Sequence, residues 1–134
     1  MHVVYLSLGS NLGDRHATMR RAIDMLNAEA GTVDRQSSLL ETEPWGFESA
    51  NKFLNMCVRL LTTLTPEQLL LKTQDLEKRL GRTVKSVDGK YHDRPIDIDM
   101  LMYDDVNIST PTLTLPHPHM HERDFVMIPL REIL

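Results

Sequence analysis

The sequence predicts an α+β fold: a ferredoxin-like sandwich of order β-α-β-β-α-β, with an antiparallel sheet and helices packed on it, all on one face. Three observations predict it. Four apolar runs are short enough for strands and rich in Val, Ile, Leu and Met. Two stretches of helical periodicity lie between them, after the first run and after the third. Turn and capping residues punctuate the boundaries. At 134 residues the chain is expected to be a single domain, 1–134, with one core.

Residues 2–8 read as a buried strand. Ser10-Asn11-Leu12-Gly13-Asp14 is turn chemistry, and Asp14 can cap the helix that follows. Over 15–30, Met19, Ala22, Ile23 and Leu26 recur at helical spacing, and Gly31 ends the helix. Residues 32–41 read as a second strand, 42–51 as a loop marked by Pro44 and Gly46, and 52–63 as a third strand. Thr65 caps a second helix with Pro66 at its first position. Leu69, Leu70, Leu76 and Leu80 form its apolar stripe, and Gly81 stops it. A polar loop over 82–93 leads into a fourth strand, 96–103. Residues 113–134 read as an appendage broken up by Pro116, Pro118 and Pro129, with a short helix closing the chain.

Composition narrows the function. A net charge of −4 argues against a general nucleic-acid binder, though not against a local cationic pocket. No apolar stretch could span a bilayer, and no basic-then-apolar start suggests secretion. The single cysteine, Cys57, cannot form an internal disulfide and reads as a small core residue, so a cytoplasmic location is expected.

The most telling stretch is Arg94-Pro95-Ile96-Asp97-Ile98-Asp99-Met100-Leu101. On a strand, Asp97 and Asp99 share one face while Ile96, Ile98 and Met100 point to the core. Two like charges side by side on a half-buried strand repel unless a cation lies between them. Paired carboxylates suit Mg²⁺ shared with substrate phosphates, and Arg94 is a natural phosphate clamp. A solvated acidic face is the bland alternative.

Other features add to this picture. Leu8-Gly9-Ser10-Asn11-Leu12-Gly13-Asp14 links strand to helix like a phosphate loop, but lacks the G-x-G-x-x-G spacing and the lysine of a P-loop; a tight turn that packs the strand against the helix explains it better. Gln74 and Glu77 share a helix face suited to a nucleotide or to solvent. The stretch 82–94 carries five cationic side chains in thirteen positions, counting His92, as a lid over polyphosphate would. His117, His119 and His121 alternate in a way that raises zinc, but the neighbouring prolines work against a shared face, and contact of individual histidines and Arg123 with phosphate or ribose is the preferred reading. Trp45, Phe47 and Phe53 beside Asn55 suit a flat heterocycle that needs stacking and edge recognition, the alternative being that Trp45 and Phe53 cover the core.

Together these residues resemble the 6-hydroxymethyl-7,8-dihydropterin pyrophosphokinase family. The resemblance runs through the Leu8–Asp14 segment, Glu41-Thr42 with Pro44 and Gly46, and Phe53-Leu54-Asn55. It continues through Gln74, Glu77, Gly81-Arg82, the signature from Arg94 to Asp99, Pro116-His117, Arg123-Asp124-Phe125 and Pro129-Leu130. It implies a monomer that moves the terminal pyrophosphoryl group of ATP to the pterin hydroxymethyl group, leaving AMP. It implies two Mg²⁺ ions on Asp97 and Asp99, with Arg82 and Arg94 stabilising the phosphates in transfer. Gln74, Glu77, Lys85, Arg94, Ile98, His117 and Arg123 would surround ATP. Thr42, Pro44, Trp45, Phe53, Asn55, Tyr91 and Phe125 would surround the pterin. Tyr91 and Phe53 stand where relatives commonly carry Trp and Tyr. Two other classes stay open from the residues alone: a regulatory small-molecule-binding module, and a metal-dependent nuclease or nucleotidyl transferase.

Overall fold

The computed structural model describes residues 1–44, 50–81 and 94–134. β1 (His2–Ser10) leads through the turn at Asn11–Asp14 into α1 (Arg15–Glu29). β2 (Thr32–Gln36), β3 (Leu40–Thr42) and β4 (Phe53–Thr62) follow, then α2 (Pro66–Arg79) and β5 (Asp97–Tyr103). A small hairpin of β6 (Ile108–Ser109) and β7 (Thr114–Leu115), a single 3₁₀ turn and α3 (Asp124–Ile133) complete the chain.

Local chemistry accounts for the helix starts. Asp14 accepts from Ala17 N–H at 3.1 Å and so satisfies a donor that the first turn of α1 leaves open. At α2 the capping is reciprocal: Gln68 N–H donates to Thr65 Oγ1 at 3.2 Å, and Thr65 N–H donates to Gln68 Oε1 at 3.0 Å. Gly31 is required by packing rather than conformation, since a Cβ there would lie 2.0 Å from the Leu61 carbonyl oxygen.

The sheet is antiparallel, in the order β2-β4-β1-β5, with β3 also paired to β4. The expected second strand, 32–41, is therefore split. At the break, Ser37 N–H donates to the Cys57 carbonyl and Cys57 N–H donates to Ser37 Oγ, both at 2.9 Å. A hydroxyl has replaced a backbone acceptor, as serine side chains can. Ser38 turns away to Glu132.

Every residue of β4 is buried or nearly so, because layers cover both sides of it. On one side α1 and α2 pack Met19, Ala22, Leu26, Leu69 and Leu76 against Val4, Leu6, Leu8, Met56, Val58 and Ile98. On the other, α3 packs Val126, Leu130 and Ile133 against Cys57 and Leu101. The expectation of helices on a single face is thereby corrected. The second face of β4 and β5 is apolar over part of its length and takes a third helix.

Pro129, expected from the sequence to break the chain, lies instead inside α3. A proline in a helix interior costs about 3 kcal/mol. Val126, Pro129, Leu130 and Ile133 form one buried stripe at spacings of three and four. Each large side chain among them recovers roughly 1.5–3 kcal/mol on burial, so the packing outweighs the proline.

Candidate active site

The second sheet face is not apolar throughout. In the central strand β1, small residues replace large ones: Ser7 pairs with Cys57 and Asp99, and Gly9 pairs with Asn55 and Asp97. The row Asn55–Gly9–Asp97 thus crosses three strands on one side. A side chain on Gly9 would press within 3.3 Å of Asn55 Oδ1 and 3.5 Å of the Phe53 ring, closing the floor. Around this floor lies a cavity of about 240 Å³. Thr42 and Glu43, Phe53, Arg94, His117 to His119, Arg123 and Phe125 form its walls.

Asp97 and Asp99 do project from the same face of β5 into this cavity. Burial pushes the Asp99 carboxyl up to about 8; the charges of Asp97 and Glu77 add to the push, and Arg123 and Arg94 oppose it. Part of Asp99 still opens onto the cleft, while protein surrounds the rest. Such a pair has a charge that a divalent cation would relieve. Among the described residues no group of three or more His, Cys, Asp or Glu side chains could hold a metal alone. Two carboxylates that need further oxygens from a substrate fit Mg²⁺, which is bound in that way.

Arg94 stands between an anion and an aromatic face. Its guanidinium lies 3.4 Å from Asp97 Oδ2 and 4.8 Å from the centre of the Phe53 ring. Arg123 also lines the cavity, 5.7 Å from the centre of the Phe125 ring, and is itself buried. Two arginines thus face two carboxylates over a small polar floor.

Asn55 is oriented by β3. Its amide nitrogen donates to Thr42 Oγ1 at 2.8 Å and to the Leu40 carbonyl at 3.2 Å, so Oδ1 is the atom beside Gly9. His117 is neutral at physiological pH: burial holds its pKa down to about 4, with help from the charges of Arg123 and His119. His119 N–H donates to His117 Nδ1 at 3.2 Å. With Nδ1 as acceptor, the neutral ring carries its proton on Nε2.

The cavity therefore brings together Thr42, Phe53, Asn55, Arg94, Asp97, Asp99, His117, Arg123 and Phe125 from the residues singled out in the sequence. Gln74, Glu77 and Ile98 do not line it. Glu77 and Ile98 lie where α2 meets β5, the edge strand of the sheet among the described residues, and Ile98 N–H donates to Glu77 Oε2 at 2.8 Å; Gln74 stands on α2 three positions before Glu77. Pro44 adjoins Glu43 but is not in the lining. Trp45, Arg82, Lys85 and Tyr91, like the lid expected over 82–93, lie outside the described residues. The three alternating histidines do not gather as a metal site among the described residues. Cys57 is buried in the core and burial pushes its thiol up to about 12, so it is no nucleophile.

Sequence reasoning missed Ser7, Glu43 and Pro118 as lining residues. For Ser7 a signal existed: in Val3–Gly9 the residues alternating with Val4, Leu6 and Leu8 shrink to Ser7 and Gly9. Gly9 and Ser10 belong to β1, and the segment beyond them joins strand to helix.

The family profile of 7,8-dihydro-6-hydroxymethylpterin-pyrophosphokinase (HPPK) matches residues 5–134. A 2-amino-4-hydroxy-6-hydroxymethyldihydropteridine pyrophosphokinase of Porphyromonas gingivalis is 52% identical over 134 residues, covering 99% of this chain and 91% of its own. The Bacillus subtilis enzyme of the same name is 44% identical, covering 98% and 78%. The mitochondrial folate synthesis bifunctional protein of Pisum sativum is 39% identical over 98% of this chain, which spans only 25% of that protein. Among solved structures, a single-substitution form of Plasmodium falciparum HPPK-DHPS with SDX-DHP superposes with a TM-score of 0.80 at 14% identity. That match covers 98% of this chain and 41% of the other, and it speaks for the fold alone.

Proposed function

Since the chain belongs to the 7,8-dihydro-6-hydroxymethylpterin-pyrophosphokinase family, we propose that the cleft over Ser7 and Gly9 is where its reaction takes place. The protein transfers pyrophosphate from ATP to 6-hydroxymethyl-7,8-dihydropterin, giving AMP and the pterin diphosphate, in folate biosynthesis. The observation that carries the assignment of the site is the pair Asp97 and Asp99 facing Arg94 and Arg123 across one small cavity.

In this reading Asn55 Oδ1 accepts from the N–H edge of the pterin. Phe53 and Phe125 supply apolar faces beside the ring, with Thr42 holding Asn55 in place. The pterin hydroxyl attacks the β-phosphorus of ATP. The new O–P bond forms as the bridge to the α-phosphorus breaks; AMP departs, and the hydroxyl proton leaves to solvent or to Asp99. Arg94 and Arg123 meet charge on the transferring group, and neutral His117 donates from Nε2 to phosphate oxygen. Arg82 and Lys85 are proposed for the same polyphosphate. Gln74, Glu77 and the Ile98 backbone are proposed for the nucleoside end, because they lie along the β5 edge outside the cavity. Pro44, Trp45 and Tyr91 complete the proposed pterin set.

Two Mg²⁺ ions are proposed on Asp97 and Asp99, where they would neutralise phosphate charge and hold the reacting oxygens in line. The preference for positioning over proton transfer suits phosphoryl-type chemistry. The element order supports reading the fold as ferredoxin-like, with the second strand divided into β2 and β3. We also read the molecule as one domain over 1–134, acting as a cytoplasmic monomer without a nucleic-acid partner. The buried, unreactive Cys57 and the net charge of −4 support this reading. Among the described residues no helix is long and apolar enough to cross a membrane.

The test is turnover of ATP with 6-hydroxymethyl-7,8-dihydropterin and Mg²⁺, following the nucleotide products in the parent and in Asp97→Ala. AMP formed only with pterin, and lost in the variant, supports the reading. ADP as the product would move the attack to the γ-phosphorus. Undiminished AMP from the variant would remove the site from β5.

A further inference from the structure

Arg94 is held at its backbone by one residue that stands outside the cavity. Asn11 N–H donates to the Arg94 carbonyl at 3.1 Å, and Arg94 N–H donates to Asn11 Oδ1 at 2.7 Å. Both main-chain groups of Arg94 are thereby tied to the turn that follows β1. Asn11 is buried, 2% exposed, and its Nδ2 donates at 3.4 Å to the carbonyl of Asn51, just before β4. A single side chain thus bridges the turn after β1, the approach to β4 and the approach to β5.

The placement matters because Arg94 is not itself within β5. The strand begins at Asp97, and Pro95 intervenes with no N–H to pair. The sheet ladder runs only as far as Gly9↔Asp97. Beyond it, Asn11 supplies the pairing that the proline interrupts: its backbone gives one bond and its side chain takes the place of a backbone acceptor. With the Arg94 backbone so pinned, the guanidinium is delivered over the Phe53 ring and against Asp97.

We propose that Asn11 is a positioning residue for transfer, acting through Arg94: its side chain sets where the Arg94 guanidinium meets the transferring group. This rests on the reading of Arg94 as an arginine that meets phosphate charge in transfer. Asn11 contributes no atom to the lining of the cavity, so its removal acts on the chemical step rather than on substrate affinity.

The experiment is a double-mutant cycle in the full chain with Asn11→Ala, Arg94→Ala and the double variant, with thermal melts as folding controls. Asn11→Ala is expected to lower kcat by on the order of 10- to 100-fold, as a misplaced reacting group does, with the KM for ATP and pterin nearly unchanged. In the Arg94→Ala background the same substitution is expected to cause no further loss. Asn11→Asp keeps the acceptor for Arg94 N–H and is expected to retain most of kcat, which tests the proposal even if Asn11→Ala does not fold. Equal losses from Asn11→Ala in both backgrounds, an unchanged kcat, or an Asn11→Asp as slow as Arg94→Ala would each overturn it. If Arg94→Ala turns over normally, the reading of Arg94 itself fails and this proposal with it. If Arg94→Ala is slow and Asn11→Ala is not, only the proposal fails.

Discussion

Glu77 on α2 accepts a hydrogen bond from the backbone N–H of Ile98 on β5 at 2.8 Å. Among the described residues β5 is the edge of the sheet, so this carboxylate satisfies a donor on the side of β5 away from β1. It also brings a third negative charge toward Asp97 and Asp99, and it adds to the push on Asp99.

Glu77→Ala should therefore destabilise the fold by about 1–3 kcal/mol, the cost of a buried donor left without its partner. Glu77→Gln keeps an acceptor and should melt close to the parent. Thermal unfolding of both variants checks this, and an Ala variant as stable as the parent would show that the bond is dispensable.

Asp97→Ala should reduce turnover by on the order of 10³-fold or more, because the charge clamp on the phosphates loses an anchor. Its melting temperature should change little, since relief of the repulsion between Asp97 and Asp99 offsets the absence of the ion pair between Asp97 and Arg94. Steady-state turnover and a melt read both parts. A large loss of stability would make Asp97 a structural residue first.

Asn55→Ala should raise the KM for pterin roughly 10- to 100-fold while leaving that for ATP nearly unchanged, because the residue stands on β4, across Gly9 from Asp97 on β5. Separate titrations of the two substrates decide it. A matching rise for ATP would break the division of the cleft into pterin and phosphate parts.

His117 provides a pH dependence with a definite sign. Its folded pKa, about 4, lies below the ordinary histidine value of 6.5, so the unfolded chain takes up this proton first. The stability contributed by the neutral ring is present above about 6.5 and is lost as pH falls through about 4. His117→Gln should flatten the fall in melting temperature across that window. The His117 ring signal in NMR should titrate near 4 rather than near 6.5.

Cys57 should resist thiol reagents at mildly alkaline pH in the folded protein and react once unfolded, given a thiol pushed up to about 12 by burial. Fast labelling of the native chain would contradict the packing of Cys57 beneath α3.

Much of this protein was determined by local spacing. The period of two put Asp97 and Asp99 on one face and Ile98 and Met100 on the other, and β5 keeps that arrangement. Thr65, Pro66 and Gln68 start α2 through bonds that need only neighbours in sequence. Asp14 starts α1 in the same way. The runs that carried the family resemblance were legible for the same reason: most are short and contiguous in sequence. Tertiary structure decided what depends on residues far apart. Whether Pro129 could remain in a helix was decided by the sheet face that α3 covers, not by the proline. The split between β2 and β3 comes from Ser37 meeting Cys57, twenty positions away. Ser7 and Gly9 become a floor only because antiparallel register sets them between Asn55 and Asp97 and beside Asp99. Arg94 meets Asn11 across 83 positions. Capping and alternation are encoded within a few residues, whereas register, layering and the meeting of loops come from burial and hydrogen bonds that only the folded chain brings within reach.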